Sequence, residues 1–549
     1  MSVPSPADVQ ATYAATLIDE WIRLGIRDAV ICPGSRSTPL ALAIADRREL
    51  RISVRLDERG AGFYALGRTL VTGLPTLIVV TSGTAAAELH AAVAEADQAF
   101  APLLVVTADR PPELHGIGAP QTMPQTDLFG PMVRLALDPG VPQWSGCATW
   151  RVLARQLFEN ATGRRGRTGP VHLNAAFAEP LLGSARELPA LLDPPAAPPS
   201  PRAVTLPVNG RRVLAVVGAG LPEGTLETAR TLGWVIIGDA TSPHVVSYAD
   251  GLLRHDGFAA AVRPDLVIRI GGIPASKVVA QRLREWQVPV WGVDLGHLVA
   301  DPDQVVSELF VGEFLETSRE CHGNPDYESL WARAESRAHD NFRGLAFAGG
   351  RLTEAAIARE VVTHCNESLR HLVVGSSMPI REVEWFAPRR HGRVFANRGV
   401  NGIDGVISTA FGVTADEGGV ALVGDLTFLH DVSALVDAPL VPTAIVVVAN
   451  EGGHIFDFLP QRDGVDSNTF REVFTTPRGL SPARVAEGFG LTSVVVTSVG
   501  ELRDELTAAA GRSVVTVIEA RPSAPVSNVE FHAWMNKSLG RVADEVLAT

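Results

Sequence analysis

Val420-Ala-Leu-Val-Gly-Asp425, followed by Thr443-Ala-Ile-Val-Val-Val448 and Asn450-Glu-Gly-Gly453, decides the fold. Both apolar runs are short and rich in β-branched residues, which reads as buried strands rather than helices. His430–Val436 between them is helix-like, and about 25 residues separate Asp425 from Asn450, enough for a crossover helix and a return. The unit is therefore βαβ with parallel strands. Asp425 and Asn450 then lie side by side at the carboxyl edge of the sheet, where α/β proteins bind ligands. Gly424, Gly452 and Gly453 let the backbone approach an anion such as a diphosphate. Two side-chain oxygens, a backbone carbonyl near Gly452, phosphate oxygens and a water would suit an octahedral Mg²⁺ ion. An Asp at a helix entry and an Asn-Glu-Gly-Gly turn also serve as plain caps and turns, so this stretch alone leaves both readings open.

The same alternation runs outward from this unit. Ala29–Cys32, Ile52–Arg55, Thr76–Thr81 and Pro102–Thr107 are expected strands, interleaved with helical stretches at Ala11–Leu24 and Gly60–Thr69. Val213–Val217, Val235–Ile237, Leu266–Ile270 and Val288–Val293 form a second set, and Tyr327–Phe342 reads as a charged helix leading to a third. In that third set Leu372–Val374, Val394–Ala396 and Val514–Glu519 join the two strands quoted above. Glu187–Asn209 contains PPAAPPSP and little else that could pack, which reads as a linker. The expectation is an α/β protein of three doubly wound parallel-sheet domains. An N-terminal domain spans 1–185, a Pro-rich linker 186–210, a middle domain 211–345 and a C-terminal domain 346–549.

Bulk properties fit this reading. A chain of 549 residues, 46% hydrophobic and 20% charged, is long enough for about three cores. A net charge of −13 argues against a nucleic-acid partner. No apolar run is long enough to span a bilayer, and the N-terminus lacks a basic segment followed by an apolar block, so no membrane insertion or secretion is expected. Cys32, Cys147, Cys321 and Cys365 are far apart in sequence, which suits reduced thiols in the cytoplasm. The only lysines are Lys277 and Lys537, so a cationic substrate contact would usually fall to arginine, whose planar fork grips a carboxylate.

A second signal is Ile52-Ser-Val-Arg-Leu-Asp-Glu58, a strand ending in a carboxylate before a small-residue helix. A salt-bridged surface glutamate would look the same. Together with the Asp425–Asn450 unit it resembles the thiamine-diphosphate enzymes. The resemblance implies that Glu58 hydrogen-bonds the aminopyrimidine ring and serves as the catalytic carboxylate. It implies that Asp425, Asn450 and the Gly452 carbonyl ligate Mg²⁺ or Mn²⁺, and that Ile403 supports the bend of the coenzyme. Gly424, Leu426, Gly453 and Ile455 complete the expected cofactor contacts. Leu426 stands where the wider family commonly has glycine, a departure shared by one subgroup.

Further segments narrow the resemblance: Cys32-Pro-Gly-Ser-Arg36-Ser, Thr107-Ala-Asp-Arg110-Pro-Pro-Glu-Leu, Gly118-Ala-Pro-Gln121, Ser376-Ser377-Met-Pro-Ile-Arg381 and Asn397-Arg398-Gly-Val-Asn-Gly-Ile-Asp-Gly405. Over nearly the whole chain the set is similar to the 2-succinyl-5-enolpyruvyl-6-hydroxy-3-cyclohexene-1-carboxylate synthases of menaquinone synthesis. That family decarboxylates 2-oxoglutarate and adds the succinyl semialdehyde unit to isochorismate. By motif, Ser35, Arg36, Arg110 and Gln121 match the isochorismate side, and Ser377, Arg381 and Arg398 match positions around the succinyl fragment and the join. Ile455, Phe456 and Leu459 match an apolar wall, and Lys277 a basic middle-domain position. Pro120 departs from the Asn often found before the Gln. The family further implies a homodimer or homotetramer, with each site shared by two subunits. The alternatives are another thiamine-diphosphate decarboxylase or carboligase such as an acetolactate synthase, and a catalytically dead sensor on the same fold. Val213–Gly224 carries a pattern close to a dinucleotide fingerprint, but Pro222 interrupts it and the third glycine is out of register, so a structural turn without flavin is expected.

Overall fold

Thirteen strands grow from the runs anticipated above, and their burial separates centre from edge. The computed structural model describes residues 4–194, 201–296, 299–345, 351–523 and 526–549. The first sheet contains β1 (Asp28–Ile31), β2 (Arg51–Val54), β3 (Thr76–Val80), β4 (Leu103–Asp109), β5 (Ala136–Leu137) and β6 (Val171–Ala176), in the order β2-β1-β3-β4-β6-β5. β7 (Ala203–Val204) precedes a second sheet of β8 (Val213–Val217), β9 (Val235–Gly238), β10 (Leu266–Ile270), β11 (Val290–Asp294) and β12 (Glu308–Val311), ordered β12-β11-β10-β8-β9. β13 (Phe314–Leu315) pairs with β7. The third sheet holds β14 (His371–Val374), β15 (Val394–Phe395), β16 (Gly419–Gly424), β17 (Thr443–Val448), β18 (Thr492–Val496) and β19 (Thr516–Ala520), ordered β15-β14-β16-β17-β19-β18. Among the described residues every pairing between these strands is parallel.

Parallel strands need helical crossovers, so both faces of the sheets are covered and the central strands are apolar throughout. β3, β4, β8, β10 and β17 are buried along their whole length, whereas the edge strands β2 and β12 are largely exposed. The winding reverses between β1 and β3 in the first sheet and between β14 and β16 in the third. Such switch points open a crevice at the carboxyl ends of the strands, the usual ligand position in this class.

By compactness the chain forms two units. One comprises Met1–Pro199 with Asn397–Ala415 and Asp431–Ala438; the other comprises Ser200–Ala396, Asp416–His430 and Pro439–Thr549. In the first, helix Pro6–Leu24 is capped by the Ser5 side chain, ends at left-handed Gly25, and buries Tyr13, Leu17 and Trp21. The Trp21 indole donates to the Ala154 carbonyl at 2.9 Å. Helices Glu58–Thr72 and Val406–Thr414 touch through glycines. A Cβ on Gly67 would lie 2.2 Å from the Thr409 carbonyl oxygen, and one on Gly412 2.2 Å from that of Tyr64.

Several local expectations shift. The helix expected at His430–Val436 starts at Asp425 itself, ends at His430 and continues as a 3-10 turn over Val432–Asp437. β5, β6, β7, β12, β13 and β18 had no counterpart in the sequence reading. Part of the expected linker, residues 195–200, lies outside the described residues. Beyond it, Val204, Leu206 and Val208 are buried and alternate with exposed neighbours, so this half of Glu187–Asn209 packs, contrary to the expectation.

Candidate functional site

Glu58 is the first residue of its helix, one position after the cap Asp57, whose carboxylate accepts from the Arg59 and Gly60 amides. It is half-buried, and burial, with the Asp57 and Glu88 carboxylates near it, raises its carboxyl above the ordinary glutamate range. The approach to it is held at several points by residues 431–437 of the same unit. Arg55 donates to the Asp437 carbonyl at 2.7 Å, the Leu56 amide to the Asp437 carboxylate at 3.0 Å, and the Ser433 hydroxyl to Asp57. Arg59 stands 3.5 Å from Asp431, which in turn accepts from the Ser408 amide. The buried Cys32 thiol, just after β1, is raised by burial and then by the charge of Glu58.

The turn after β1 carries exposed Ser35 and buried Arg36. The Arg36 guanidinium donates to the Phe177 carbonyl at 2.8 Å and pairs with Glu179 at 3.2 Å. Burial, then the charge of Arg110, lowers its pKa from the ordinary arginine value, so the two guanidiniums stand within electrostatic reach of each other. Two like charges held together in a half-dry crevice are stabilised by an anion between them. Gln121, at φ 56°, gives one amide hydrogen to the Ser82 carbonyl at 3.2 Å, which leaves its side-chain oxygen and its second amide hydrogen for a ligand. Arg398 and Ile403 sit on the loop preceding helix Val406–Thr414. The buried Glu95 carboxylate accepts from the Gly399 amide at 2.5 Å and the Val400 amide at 2.7 Å, and so fixes that loop.

In the second unit Gly424 pairs in register with Val448 at the ends of β16 and β17. Asp425 and Asn450 follow these ends, so the sequence reading of two neighbouring carboxyl-edge side chains matches the geometry. Asp425 is buried, and burial raises its carboxyl despite amide hydrogen bonds from Leu426 at 2.7 Å and Gly452 at 2.9 Å. Among the described residues no arginine or lysine is paired with it. A buried carboxylate without a cation partner is the environment a divalent ion relieves. The Asn450 amide nitrogen donates to Glu354 at 2.9 Å, which leaves its oxygen as the ligating atom. Gly452 has φ 130°, and a Cβ there would lie 2.2 Å from the Thr475 carbonyl oxygen, so only glycine can present this backbone. Among the described residues no cluster of three or more His, Cys, Asp or Glu could hold a metal. The donor set here is instead mixed: one carboxylate, one amide oxygen and one carbonyl, a hard-oxygen set that fits Mg²⁺ or Mn²⁺ with a diphosphate. A cavity of about 620 Å³ is lined by Glu354, Asp425, Leu426 and Asn450.

Ser377 precedes helix Met378–Phe386 after β14 without a side-chain cap bond, and the Arg381 guanidinium folds back onto the Ser377 carbonyl at 2.7 Å. Both therefore stand by the switch point next to β16. Ile455, Phe456 and Leu459 lie in and just after the turn His454–Phe458, with Phe456 against Phe474 at 5.5 Å between ring centroids. Gly453 donates to the Thr475 carbonyl at 2.7 Å. Lys277 is placed elsewhere: exposed at the start of helix Lys277–Trp286, it lines a cavity of about 170 Å³ with Arg269 and Asp303. At the competing motif a Cβ on Gly218 would lie 2.0 Å from Gly272, so that glycine serves loop-to-loop packing.

Sequence reasoning missed Glu354, Glu95 and the 431–437 latch. Glu354 follows Thr353 in what reads as a helix cap, and nothing local marks its contact with a residue about 96 positions away.

Two family models match the chain. Residues 11–128 match the N-terminal TPP binding domain of thiamine pyrophosphate enzymes, and residues 379–520 match the C-terminal TPP binding domain. The fold and the site thus define a thiamine pyrophosphate enzyme, with the two motif sets falling one in each matched segment. Proteins named 2-succinyl-5-enolpyruvyl-6-hydroxy-3-cyclohexene-1-carboxylate synthase resemble it over most of their length. The one from Myxococcus xanthus is 38% identical over 529 residues, covering 88% of this chain and 89% of its own. The one from Thermobifida fusca is 39% identical over 514 residues, covering 87% and 90%. The one from Geobacillus thermodenitrificans is 32% identical over 591 residues, covering 97% and 96%. The chain belongs to the family of 2-succinyl-5-enolpyruvyl-6-hydroxy-3-cyclohexene-1-carboxylate synthases.

Proposed function

We propose that the protein decarboxylates 2-oxoglutarate and adds the succinyl semialdehyde unit to isochorismate, using thiamine diphosphate and Mg²⁺ or Mn²⁺. The observation that carries this reading is the pair Asp425–Asn450 at the carboxyl ends of adjacent parallel strands, beside a glycine backbone that no other residue could adopt. Asp425, Asn450 and the Gly452 carbonyl hold the metal, and Gly424, Leu426, Gly453 and Ile455 border the diphosphate. Thiamine diphosphate, when bound, would supply a nucleophilic carbon for a 2-oxo acid and an electron sink for the loss of its carboxylate.

The chain's own residues do the rest. Glu58 holds a proton at the aminopyrimidine, and its raised pKa suits a carboxyl that shares a hydrogen rather than staying a solvated anion. Ile403 supports the bend between the two rings. Arg36 and Arg110 bind carboxylates of isochorismate, with Ser35 and Gln121 orienting it. Ser377, Arg381 and Arg398 hold the succinyl carboxylate and the joining atoms. Ile455, Phe456 and Leu459 exclude water from them, and Lys277 takes part once it is brought to the pocket. Glu58 of one copy serves the diphosphate cradle of a second, in a homodimer or a tetramer of such dimers. Ile52, Val54 and Leu56, exposed on and beside the edge strand β2, support such self-association. Four free cysteines, together with described residues in which no helix is long and apolar enough to cross a membrane, support a cytoplasmic setting.

The test is an assay with isochorismate, 2-oxoglutarate, thiamine diphosphate and Mg²⁺, omitting each in turn, and with pyruvate offered as an alternative donor. Product formation is expected only in the complete mixture. Turnover of pyruvate in preference to 2-oxoglutarate would overturn the substrate assignment. Glu58→Gln is expected to lower kcat by about 10²–10⁴-fold, the usual contribution of a general acid–base group.

A further inference from the structure

Glu354 is the first residue of helix Glu354–Ser368, whose cap Thr353 accepts from the Ala356 amide. It is 7% exposed. Its Oε1 accepts the Asn450 amide hydrogen at 2.9 Å. Glu382, 1% exposed, lies within electrostatic reach of the Glu354 carboxyl. Glu382 is anchored in turn: the His532 Nε2 stands 2.6 Å from its Oε1 and the Asn528 amide donates to the same oxygen at 3.0 Å. The first bond ties helix Glu354–Ser368 to the residues after β17, and the second set ties helix Met378–Phe386 to helix Asn528–Leu547.

An asparagine amide can ligate a metal only through its oxygen, and the side chain can flip. A carboxylate next to it accepts hydrogen bonds and cannot donate one when ionised, so it selects the orientation that turns nitrogen inward and oxygen outward. We propose that Glu354 is a positioning residue for the metal–diphosphate site: by accepting the Asn450 amide hydrogen it fixes the ligating oxygen toward the cradle formed with Asp425. The inference rests on the reading of Asp425 and Asn450 as metal ligands. Groups that orient a ligand in this way matter about 10–100-fold in metal affinity.

The experiment titrates the full-length protein, with thiamine diphosphate present, using Mn²⁺ and the electron paramagnetic resonance signal of the free ion. Glu354→Ala is expected to weaken Mn²⁺ binding about 10–100-fold while the melting temperature without metal stays close to that of the parent. Glu354→Gln, whose amide can accept the same hydrogen bond but can also donate one to a flipped Asn450, is expected to lose less affinity than Glu354→Ala. Parental affinity in Glu354→Ala would overturn the proposal. Equal losses in the Ala and Gln variants would overturn it too, because the effect would then be charge rather than orientation. Should Glu354→Ala fail to fold, Glu354→Met fills the same volume and carries the same expectation. Asp425→Ala separates the two levels of argument. Loss of Mn²⁺ binding there supports the cradle, whereas parental binding would sink the cradle reading and the inference with it.

Discussion

His172 lies inside the first sheet with its Nε2 2.8 Å from the Thr107 hydroxyl and its ring edge-on to Phe129. Burial holds its imidazole down at about 4, against an ordinary value of 6.5. An unfolded chain takes up a proton as pH falls through 6.5, and the folded one does not until about 4, so this residue supports the fold above 6.5 and loses that support on acidification. The gap is worth at most roughly 3 kcal/mol. Asp431, raised to about 6 by burial, acts in the opposite sense over its own range: its support is full below the ordinary aspartate value and is lost as pH rises through 6. His172→Gln keeps a hydrogen-bonding group for Thr107 but removes the titration. Its melting temperature is therefore expected to fall less than the parent's between about pH 7.5 and about pH 4.5, and because Asp431 is common to both proteins its contribution cancels. Parallel curves would show that His172 titrates normally in the fold. At this scale the sequence is legible where a residue's task follows from its neighbours. Asp425, Asn450, Arg36 and Arg110 stand just after apolar strands and could be named for that reason. Glu354 and Glu95 could not, because their partners lie far away in the chain.

Among the elements, the strands were the most readable, since a parallel sheet covered on both faces writes itself as uninterrupted apolar runs. β6 escaped because Val171-His-Leu-Asn-Ala-Ala176 buries two polar side chains inside it, each satisfied by a partner on another strand or loop: His172 by Thr107, and Asn174 by Asp109, Asp138 and Gln125. β18, at a sheet edge, is only partly buried and carries a weak pattern. The joining of helix Glu58–Thr72 to helix Val406–Thr414 was invisible as well, because Gly67 and Gly412 have meaning only once the two backbones meet. That contact sets the helix whose first residue is Glu58. Gly412→Ala must push a methyl into a carbonyl oxygen, and overpacking of this kind costs about 1–3 kcal/mol. Its unfolding midpoint in urea is expected to fall, with a larger proportional loss of activity than of secondary structure. Gly500→Ala, in helix Val499–Ala510 with nothing within 4 Å of the added Cβ, is the matched control. It is expected to gain about 0.5–1 kcal/mol from helix propensity alone. A Gly412→Ala protein as stable as the parent would mean that the helices have room to separate.

For the whole molecule, the question is how many copies one active centre needs. The fold places Glu58 and Asp425 in different compact units, and the proposed arrangement pairs Glu58 of one copy with Asp425 of another. Closed two-fold association would then create two equivalent centres, each drawing on both chains. Glu58→Gln and Asp425→Ala should each be inactive alone. When the two are mixed and allowed to exchange subunits, a mixed dimer holds one centre with both defects and one with neither. Random exchange makes about half the dimers mixed, so activity should recover to about a quarter of the parental level. Val54→Glu, which charges the exposed edge strand β2, should shift the population toward monomers in sedimentation and lower the activity in step. If each chain instead carried a complete centre, mixing would restore nothing and the Val54→Glu monomer would remain active. The complementation result therefore decides between the two arrangements without requiring either variant to bind coenzyme normally.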